Sequence, residues 1–195
     1  KIAQGVGKIA DTTALRAAYA KEINAASTFK THGLSDEAAD QFLASPNGLK
    51  YLGELRQADP TATIDKIYSR ASAQVQSGST VPILESVASP LVKIVPKGEA
   101  VSSHSPFFTS KEALEEASAS GKTLADYFGL PVKSEAPTYD IFQITPKSSA
   151  NVFASEVAPT TELGGLVERS GGAAQYLVPN RSIWSDPVLV GSAAN

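Results

Sequence analysis

The sequence contains no cysteine and very little histidine, and these absences exclude several kinds of chemistry. Without cysteine, the chain of 195 residues has no disulfide, no thiol nucleophile and no cysteine-ligated metal. Its two histidines, His32 and His104, lie far apart in sequence and outside any paired ligand spacing such as the helical His-x-x-x-His. We therefore predict that the chain has no metal site.

Methionine is absent as well, and the first residue is Lys1. Because translation starts with methionine, we expect the chain to be a piece of a longer protein. No stretch approaches the roughly 20 apolar residues that span a bilayer, and the amino terminus lacks the charged-then-apolar layout of a signal peptide. The sequence therefore predicts a soluble module without a membrane span.

Positive charge is also scarce. Lys and Arg number 17 against 20 Asp and Glu, which gives a net charge of -3 and a pI near 5.4. This composition offers no basic field for a phosphate backbone and disfavours nucleic-acid binding. The hydrophobic share of 42% and the charged share of 19% are those of ordinary globular proteins, and the length allows one domain or two small ones.

The chain has a helical pattern up to about Gln76. Apolar residues recur at helical spacing behind candidate helix starts at Thr12-Thr13, Ser35, Ser45-Pro46 and Asp59-Pro60-Thr61. The apolar stripes contain Leu15, Ala18, Tyr19 and Ile23, then Ala38 to Ala44, then Leu49, Leu52 and Leu55, and finally Ile64, Ile67, Tyr68 and Ala71. We predict about four short helices, and we assign residues 1–80 to a helical N-terminal or entry segment.

Beyond a linker-like stretch at Ser77–Pro82, strands and turns predominate. Residues 91–95 and 139–144 read as strands, and weaker strand candidates lie at 151–157, 175–178 and 188–190. Helices are predicted from Ser110 towards Ala119 and over Leu124 to Phe128. These patterns predict an α+β fold in which residues 81–195 form a small mixed domain with a twisted antiparallel sheet.

The common catalytic signatures are absent: the sequence has no Gly-x-Ser-x-Gly elbow, no Walker loop and no His-Glu-x-x-His. Three other features are unusual for a scaffold. They are the adjacent aromatics Phe107 and Phe108, the carboxylate of Asp140 on an apolar strand, and the Gly171-Gly172 pair just before Gln175. Each also has an ordinary interpretation, as core residues, a solvated face and a turn respectively.

The stretch from Leu91 to Val190 resembles the NAD glycohydrolase toxin domains of the tuberculosis necrotizing toxin type, found at the C-termini of polymorphic bacterial toxins. The ending at 178–184 is also similar to the tails of contact-dependent inhibition toxins. The resemblance is carried by Ser105-Pro106-Phe107-Phe108, Gly129-Leu130-Pro131, Tyr139-Asp140-Ile141-Phe142, Val157-Ala158-Pro159 and the Gly-Gly-x-x-Gln-Tyr segment at Gly171 to Tyr176.

The resemblance implies roles for particular residues. The family's essential glutamine falls on Gln175, and an aromatic that packs on nicotinamide falls on Phe107 or Phe108. Asp140 stands where the family has a histidine, and we assign it a catalytic role beside Gln175. Lysines replace the arginine near the dinucleotide phosphates. The remaining residues predicted to bind substrate are Lys93, Lys97, Tyr139, Gly171, Gly172 and Tyr176.

The resemblance also implies a biological setting. NAD or NADP is expected as the substrate, with hydrolysis of the nicotinamide-ribose bond and no bound cofactor. A cognate immunity protein is expected as a partner, because the producing cell must neutralise the toxin. The chain is expected to be secreted or delivered from the cell surface and to act in the cytoplasm of the target cell.

Three alternatives to NAD hydrolysis remain open. ADP-ribosyl cyclisation or transfer fits a similar pocket, although transfer usually calls for a glutamate pair and the sequence has no Glu-x-Glu. A toxin nuclease acting on tRNA or DNA could use His104 with Lys93 or Lys97. A helical adhesin or binding module with a β-rich cap would need no catalytic residues.

Overall fold

The computed structural model describes residues 28–195, so the helix expected between Thr12 and Ile23 lies outside the described residues. Three helices follow each other early in this range. They are α1 (Asp36–Ala44), α2 (Pro46–Ala58) and α3 (Ile64–Val75). Two further helices, α4 (Lys111–Ala119) and α5 (Leu124–Tyr127), lie in the second half. The predicted helices that fall within the described residues are therefore confirmed.

Side-chain caps explain where these helices begin. The hydroxyls of Ser35 and Ser45 accept hydrogen bonds from the backbone N–H three residues later, as predicted for α1 and α2. Helix α3 begins later than predicted, because its cap is Thr63. The Asp59-Pro60 segment is a turn instead, in which the guanidinium of Arg56 donates to the carbonyls of Pro60 and Ala62.

The predicted inner faces of two helices are partly wrong. In α3 the buried residues are Ile67, Ala71 and Val75, whereas Ile64 is 75% exposed and Tyr68 is 38% exposed. Ile64 shares the helical face of Ile67 and Ala71, but it lies in the first turn, ahead of the part of α3 that is buried. Leu49 of α2 is 60% exposed because it lies on a different side of that helix from the buried Gly48, Tyr51 and Leu55.

The described strands pair antiparallel and form three small sheets rather than the single sheet predicted. The strands are β1 (Lys30–Thr31), β2 (Ile83–Val87), β3 (Leu91–Pro96), β4 (Phe107–Phe108), β5 (Thr138–Ile144), β6 (Ala150–Glu156), β7 (Thr160–Glu162), β8 (Val167–Arg169), β9 (Ala174–Leu177) and β10 (Val188–Ala194). Their orders in the three sheets are β1-β7-β8, β10-β5-β3 and β2-β6-β9-β4. The α+β class is confirmed.

The helices α1 to α3 pack on the four-stranded sheet. Phe153 of β6 and Leu177 of β9 lie directly opposite each other and are fully buried in the same cluster as the helix residues. The ring of Phe153 meets that of Tyr51 edge to face, with 4.8 Å between the ring centroids. The predicted helical segment and the β-rich part thus share a hydrophobic core, while the boundary near residue 80 stays a prediction.

A buried ion pair fixes the segment between α5 and β5. Arg169 and Glu135, both nearly inaccessible, meet at 2.8 Å, and Nε of Arg169 also donates to the carbonyl of Leu130. The buried carboxylate of Glu162 accepts a hydrogen bond from the backbone N–H of Val132. Because a buried charge must be paired and hydrogen-bonded, these contacts hold residues 129–132 firmly against β7 and β8.

None of the helices described in residues 28–195 is long and apolar enough to cross a membrane.

We predict that Phe153→Ala lowers the free energy of unfolding by about 3–5 kcal/mol, the usual range for removing a buried aromatic ring. The exposed Leu49→Ala is the control and should change it by less than about 0.5 kcal/mol. Chemical denaturation followed by circular dichroism reports the helices, and the fluorescence of the buried Trp184 reports the second half. A shared core requires the two transitions to coincide; two separate midpoints would contradict it.

Candidate functional site

A cavity of about 330 Å³ lies where helix α3 ends, next to strands β3, β4 and β9. Its lining is mainly apolar, and Lys93 is the one charged side chain among the described residues that line it. Pockets of this size are typical of small-molecule sites, at the lower end of their range. The lining residues are Phe29, Thr31, Ala73, Ser77, Val92, Lys93, Ile94, Phe107, Phe108, Thr109, Phe128, Gly129, Leu130, Pro131, Val157, Ala158, Thr160 and Gln175.

Gln175 lies in the wall of this cavity and is 6% exposed. On β9 it is directly opposite Ser155 of β6, and its Nε2 donates to the hydroxyls of Ser155 at 2.9 Å and Ser77 at 3.0 Å. The hydroxyl of Ser77 donates its hydrogen bond to the carbonyl of Gln74, so it acts as the acceptor for Gln175. This network fixes the orientation of the amide and leaves Oε1 without a hydrogen bond from the described residues.

Lys93 reaches the cavity from β3. Its Nζ donates to the backbone carbonyl of Phe107 at 3.0 Å and lies 6.0 Å from the ring centroid of Phe107 and 5.7 Å from that of Phe108. Burial and, to a lesser extent, the positive charge of Arg181 lower the pKa of Lys93 to about 8. No carboxylate lines the described cavity to offset these effects.

The two adjacent aromatics both line the cavity, although Phe108 is buried and Phe107 is 36% exposed. Strand β4 is two residues long and pairs with the end of β9. On a longer strand, adjacent side chains would point to opposite faces of the sheet. Because β4 ends after two residues, both rings can line the same cavity. Phe128, which the sequence did not single out, lies in the wall as well.

Arg181 is a residue that the sequence reasoning did not assign. Its guanidinium carbon lies 4.8 Å from the ring centroid of Phe108, and NH1 donates to the carbonyls of Ser102 and Ser105. Arg181 therefore fixes the loop that leads into β4. The sequence held a usable signal, since Arg181 lies in the toxin-like ending at 178–184.

The paired glycines turn the chain into β9 and lie outside the cavity lining. Gly171 has a φ of +63°, and a side chain there would come within 2.5 Å of the carbonyl oxygen of Val157. The N–H of Gly172 donates to that same carbonyl. These glycines thus support the wall at Val157 and Ala158, and the glycine that lines the cavity is Gly129.

The other predicted site residues lie elsewhere. The carboxylate of Asp140 accepts a hydrogen bond from the N–H of Gly98 at 2.9 Å, in the turn that also carries the exposed Lys97. Tyr139 is fully buried, and its hydroxyl accepts from the N–H of Ala136. Tyr176 packs against a second hydrophobic cluster. The structure therefore brings together Gln175, Lys93, Phe107 and Phe108, and it does not bring Asp140, Lys97, Tyr139, Tyr176 or the paired glycines into the cavity lining.

The two histidines are also apart from the cavity lining. Nε2 of His32 is 2.8 Å from the hydroxyl of Thr161, and His104 is exposed on the loop before β4. Across residues 28–195, no group of three or more His, Asp or Glu side chains is arranged to hold a metal ion.

Comparisons with known proteins give little guidance. No protein-family model matches the chain, and no curated protein matches it. One solved structure that is similar is Rhs1-CT in complex with its cognate immunity protein RhsI1. The similarity covers 60% of this chain and 87% of that one, with 13% identity and a TM-score of 0.39. A likeness at this level identifies neither a family nor an activity.

We predict that Lys93→Met stabilises the fold at pH 7 by on the order of 1 kcal/mol, and that this gain shrinks at higher pH. The native wild type loses its proton as the pH rises through about 8, whereas the unfolded chain keeps it until about 10.4, so wild-type stability rises between these values. Urea unfolding at several pH values measures this effect. The exposed Lys97→Met should show no such trend, and a constant gap for Lys93→Met from pH 7 to 10 would contradict the desolvation of Lys93.

Proposed function

We propose that this chain is a bacterial toxin domain that cleaves the nicotinamide-ribose bond of NAD or NADP. The observation that carries the proposal is the cavity in which the amide of Gln175, the amine of Lys93 and the rings of Phe107 and Phe108 meet. The sequence resemblance assigns these same residues to the site, although they lie in three separate strands. The proposal draws on this agreement between residue chemistry and geometry.

The aromatic walls suit the nicotinamide ring. Phe107, Phe108 and Phe128 offer ring faces and edges to a flat heteroaromatic group, and the apolar lining excludes water from it. Phe107 is the more accessible of the two β4 aromatics. We assign the nicotinamide to this part of the cavity.

The orientation of Gln175 suits the ribose. Its Oε1 has no partner among the described residues, so it can accept a hydrogen bond from a ribose hydroxyl or from the carboxamide of nicotinamide. The Ser77 and Ser155 contacts hold this acceptor in place before substrate binds, which is the arrangement that stabilises charge as it develops. Gln175 is too weak a base to take a proton, so its role is to orient.

The reaction itself needs little from the protein. The bond between C1 of ribose and the ring nitrogen breaks with its electron pair passing to the nitrogen, so a cationic ring departs as neutral nicotinamide. The sugar is left as an oxocarbenium ion; water adds to its C1 and loses a proton to the solvent, which gives ADP-ribose. Since no carboxylate lines the described cavity, the dipole of the Gln175 amide and the aromatic rings are the groups that can stabilise this cation.

Lys93 suits the anionic part of the substrate. When protonated, its amine has donors to spare after the hydrogen bond to Phe107, and a phosphate oxygen would supply the counter-charge that the cavity lacks. A cavity of about 330 Å³ fits one half of a dinucleotide. We therefore assign the nicotinamide half to the cavity and the adenosine half to the surface outside it.

The proposal includes a partner and a route. An enzyme that depletes NAD would harm the cell that makes it, so a cognate immunity protein that covers the mouth of the cavity belongs to the proposal. We also propose delivery into the cytoplasm of a target cell, because the NAD that would be cleaved is there.

We predict that the protein releases nicotinamide from NAD or NADP and that Gln175→Ala lowers kcat/KM by about 10²–10³, the usual cost of losing one oriented stabilising group. Chromatography of nicotinamide, ADP-ribose and cyclic ADP-ribose separates hydrolysis from cyclisation. The control is Gln143→Ala on β5, which lies outside this cavity. Full activity in a folded Gln175→Ala would remove Gln175 from the mechanism, and a wild type that releases no nicotinamide would overturn the function.

We predict that Asp140→Asn leaves nicotinamide release essentially unchanged. Its carboxylate holds the turn at Gly98 and does not line the cavity, and the amide oxygen of asparagine can still accept the hydrogen bond from Gly98, so the change should lower the free energy of unfolding by no more than about 0.5–1.5 kcal/mol. Thermal unfolding and initial rates on the same preparation measure the two effects. A loss of turnover with unchanged stability would instead support a catalytic role for Asp140.

A further inference from the structure

Lys93 has surroundings that few lysines have. Its amine faces a cavity whose other described lining residues are uncharged, and its one hydrogen bond to a described residue goes to a neutral backbone carbonyl. Two aromatic rings lie within 6.0 Å of Nζ. The charge that acts on it is the guanidinium of Arg181, which packs on the ring of Phe108, and that charge is also positive.

The uncharged lining and the charge of Arg181 disfavour the ammonium form, although the two rings and the carbonyl of Phe107 are contacts that an ammonium group can also make. An amine is nucleophilic only when it is neutral, and a lysine becomes so near neutral pH when it is desolvated and placed beside another cation. Lys93 is half-buried and lies near Arg181, and burial together with that charge lowers its pKa to about 8. At pH 7 about one Lys93 in ten is then neutral, against about one in 2,500 for an exposed lysine with an ordinary pKa.

We propose that Lys93 is a nucleophilic amine that captures a small aldehyde or ketone in the cavity as an imine. The nitrogen lone pair attacks the carbonyl carbon, a C–N bond forms, and the carbonyl oxygen takes up a proton. The resulting carbinolamine then loses water to give the imine, so that no oxidant or reductant is required. The reaction is reversible by hydrolysis.

The cavity defines the chemical class of the ligand. Its apolar and aromatic walls favour an uncharged or aromatic carbonyl compound, and its volume of about 330 Å³ admits a group of one or two rings. Aromatic aldehydes fit this description. Imine formation at Lys93 depends only on the amine and its cavity, and it does not require NAD cleavage.

The test is reductive trapping. The whole chain is incubated at pH 7 with benzaldehyde and cyanoborohydride, which converts an imine into a stable secondary amine, and peptide mass spectrometry then gives the extent of modification at each lysine. We expect Lys93 to be modified at least tenfold faster than the exposed Lys97 and Lys147, which serve as internal controls in the same sample. Equal rates at the three lysines would overturn the inference.

The pH profile makes the test sharper. With cyanoborohydride in large excess, so that imine formation limits the rate, trapping at exposed lysines should become faster from pH 7 to 10, because their neutral fraction keeps growing, whereas trapping at Lys93 should level off above about pH 8. The variant Lys93→Arg should remove the fast site, and Lys97→Arg should leave it. A rate at Lys93 that climbs in parallel with that at Lys147 would contradict the proposal.

An excess of NAD separates this inference from the proposed function. If NAD slows the trapping at Lys93, the amine and the dinucleotide share the cavity. Fast trapping that NAD does not affect supports the amine chemistry and removes Lys93 from the phosphate site. Nicotinamide release by a protein whose Lys93 is trapped no faster than Lys97 would overturn the inference and leave the proposed function standing.

Discussion

The antiparallel pairing of β6 with β9 is the constraint on which the rest of the site depends. Its register sets Phe153 opposite Leu177 and Ser155 opposite Gln175, so all four side chains lie on the same face of the sheet. Helices α1 to α3 cover the apolar pair, and the polar pair lies beyond the end of α3, beside Ser77. A slip of one residue would send Gln175 to the opposite face and Leu177 out of the core, so the hydrophobic core itself fixes where the amide lies.

The electrostatics of the cavity follow from this arrangement. The side chains around Gln175 include serines, threonines and aromatic rings. The charged side chains nearby, other than Lys93, make their contacts outside the cavity lining. Arg169 and Glu135 neutralise each other next to residues 129–132, and Arg181 is bound to the loop before β4. Lys93 therefore faces a mainly apolar cavity with no carboxylate among its described lining residues, and an anionic ligand would supply that counter-charge.

Much of the fold could be read from residue patterns. Helix caps at Ser35, Ser45 and Ser110 act locally, through a hydroxyl and an N–H three residues away, so a short stretch of sequence suffices to recognise them. The start of α3 was misplaced because Asp59-Pro60 and Thr63 are both acceptable starts, and the contacts of Arg56 with the turn decide between them. Strand β2 gave too weak an alternation to be recognised, since it is mostly exposed.

The sequence by itself determined the α+β class and the absence of thiol chemistry, because composition, capping and alternation are local properties. The candidate side chains Gln175, Lys93, Phe107 and Phe108 came from its resemblance to a toxin family. Only the tertiary structure decided that these four share a cavity, that Asp140 and the paired glycines lie outside its lining, and that Arg181 stacks on Phe108. The physical reason is that burial and proximity depend on contacts between segments distant in sequence. No spacing along the chain records the register of β6 on β9, or the loss of water that changes the chemistry of Lys93.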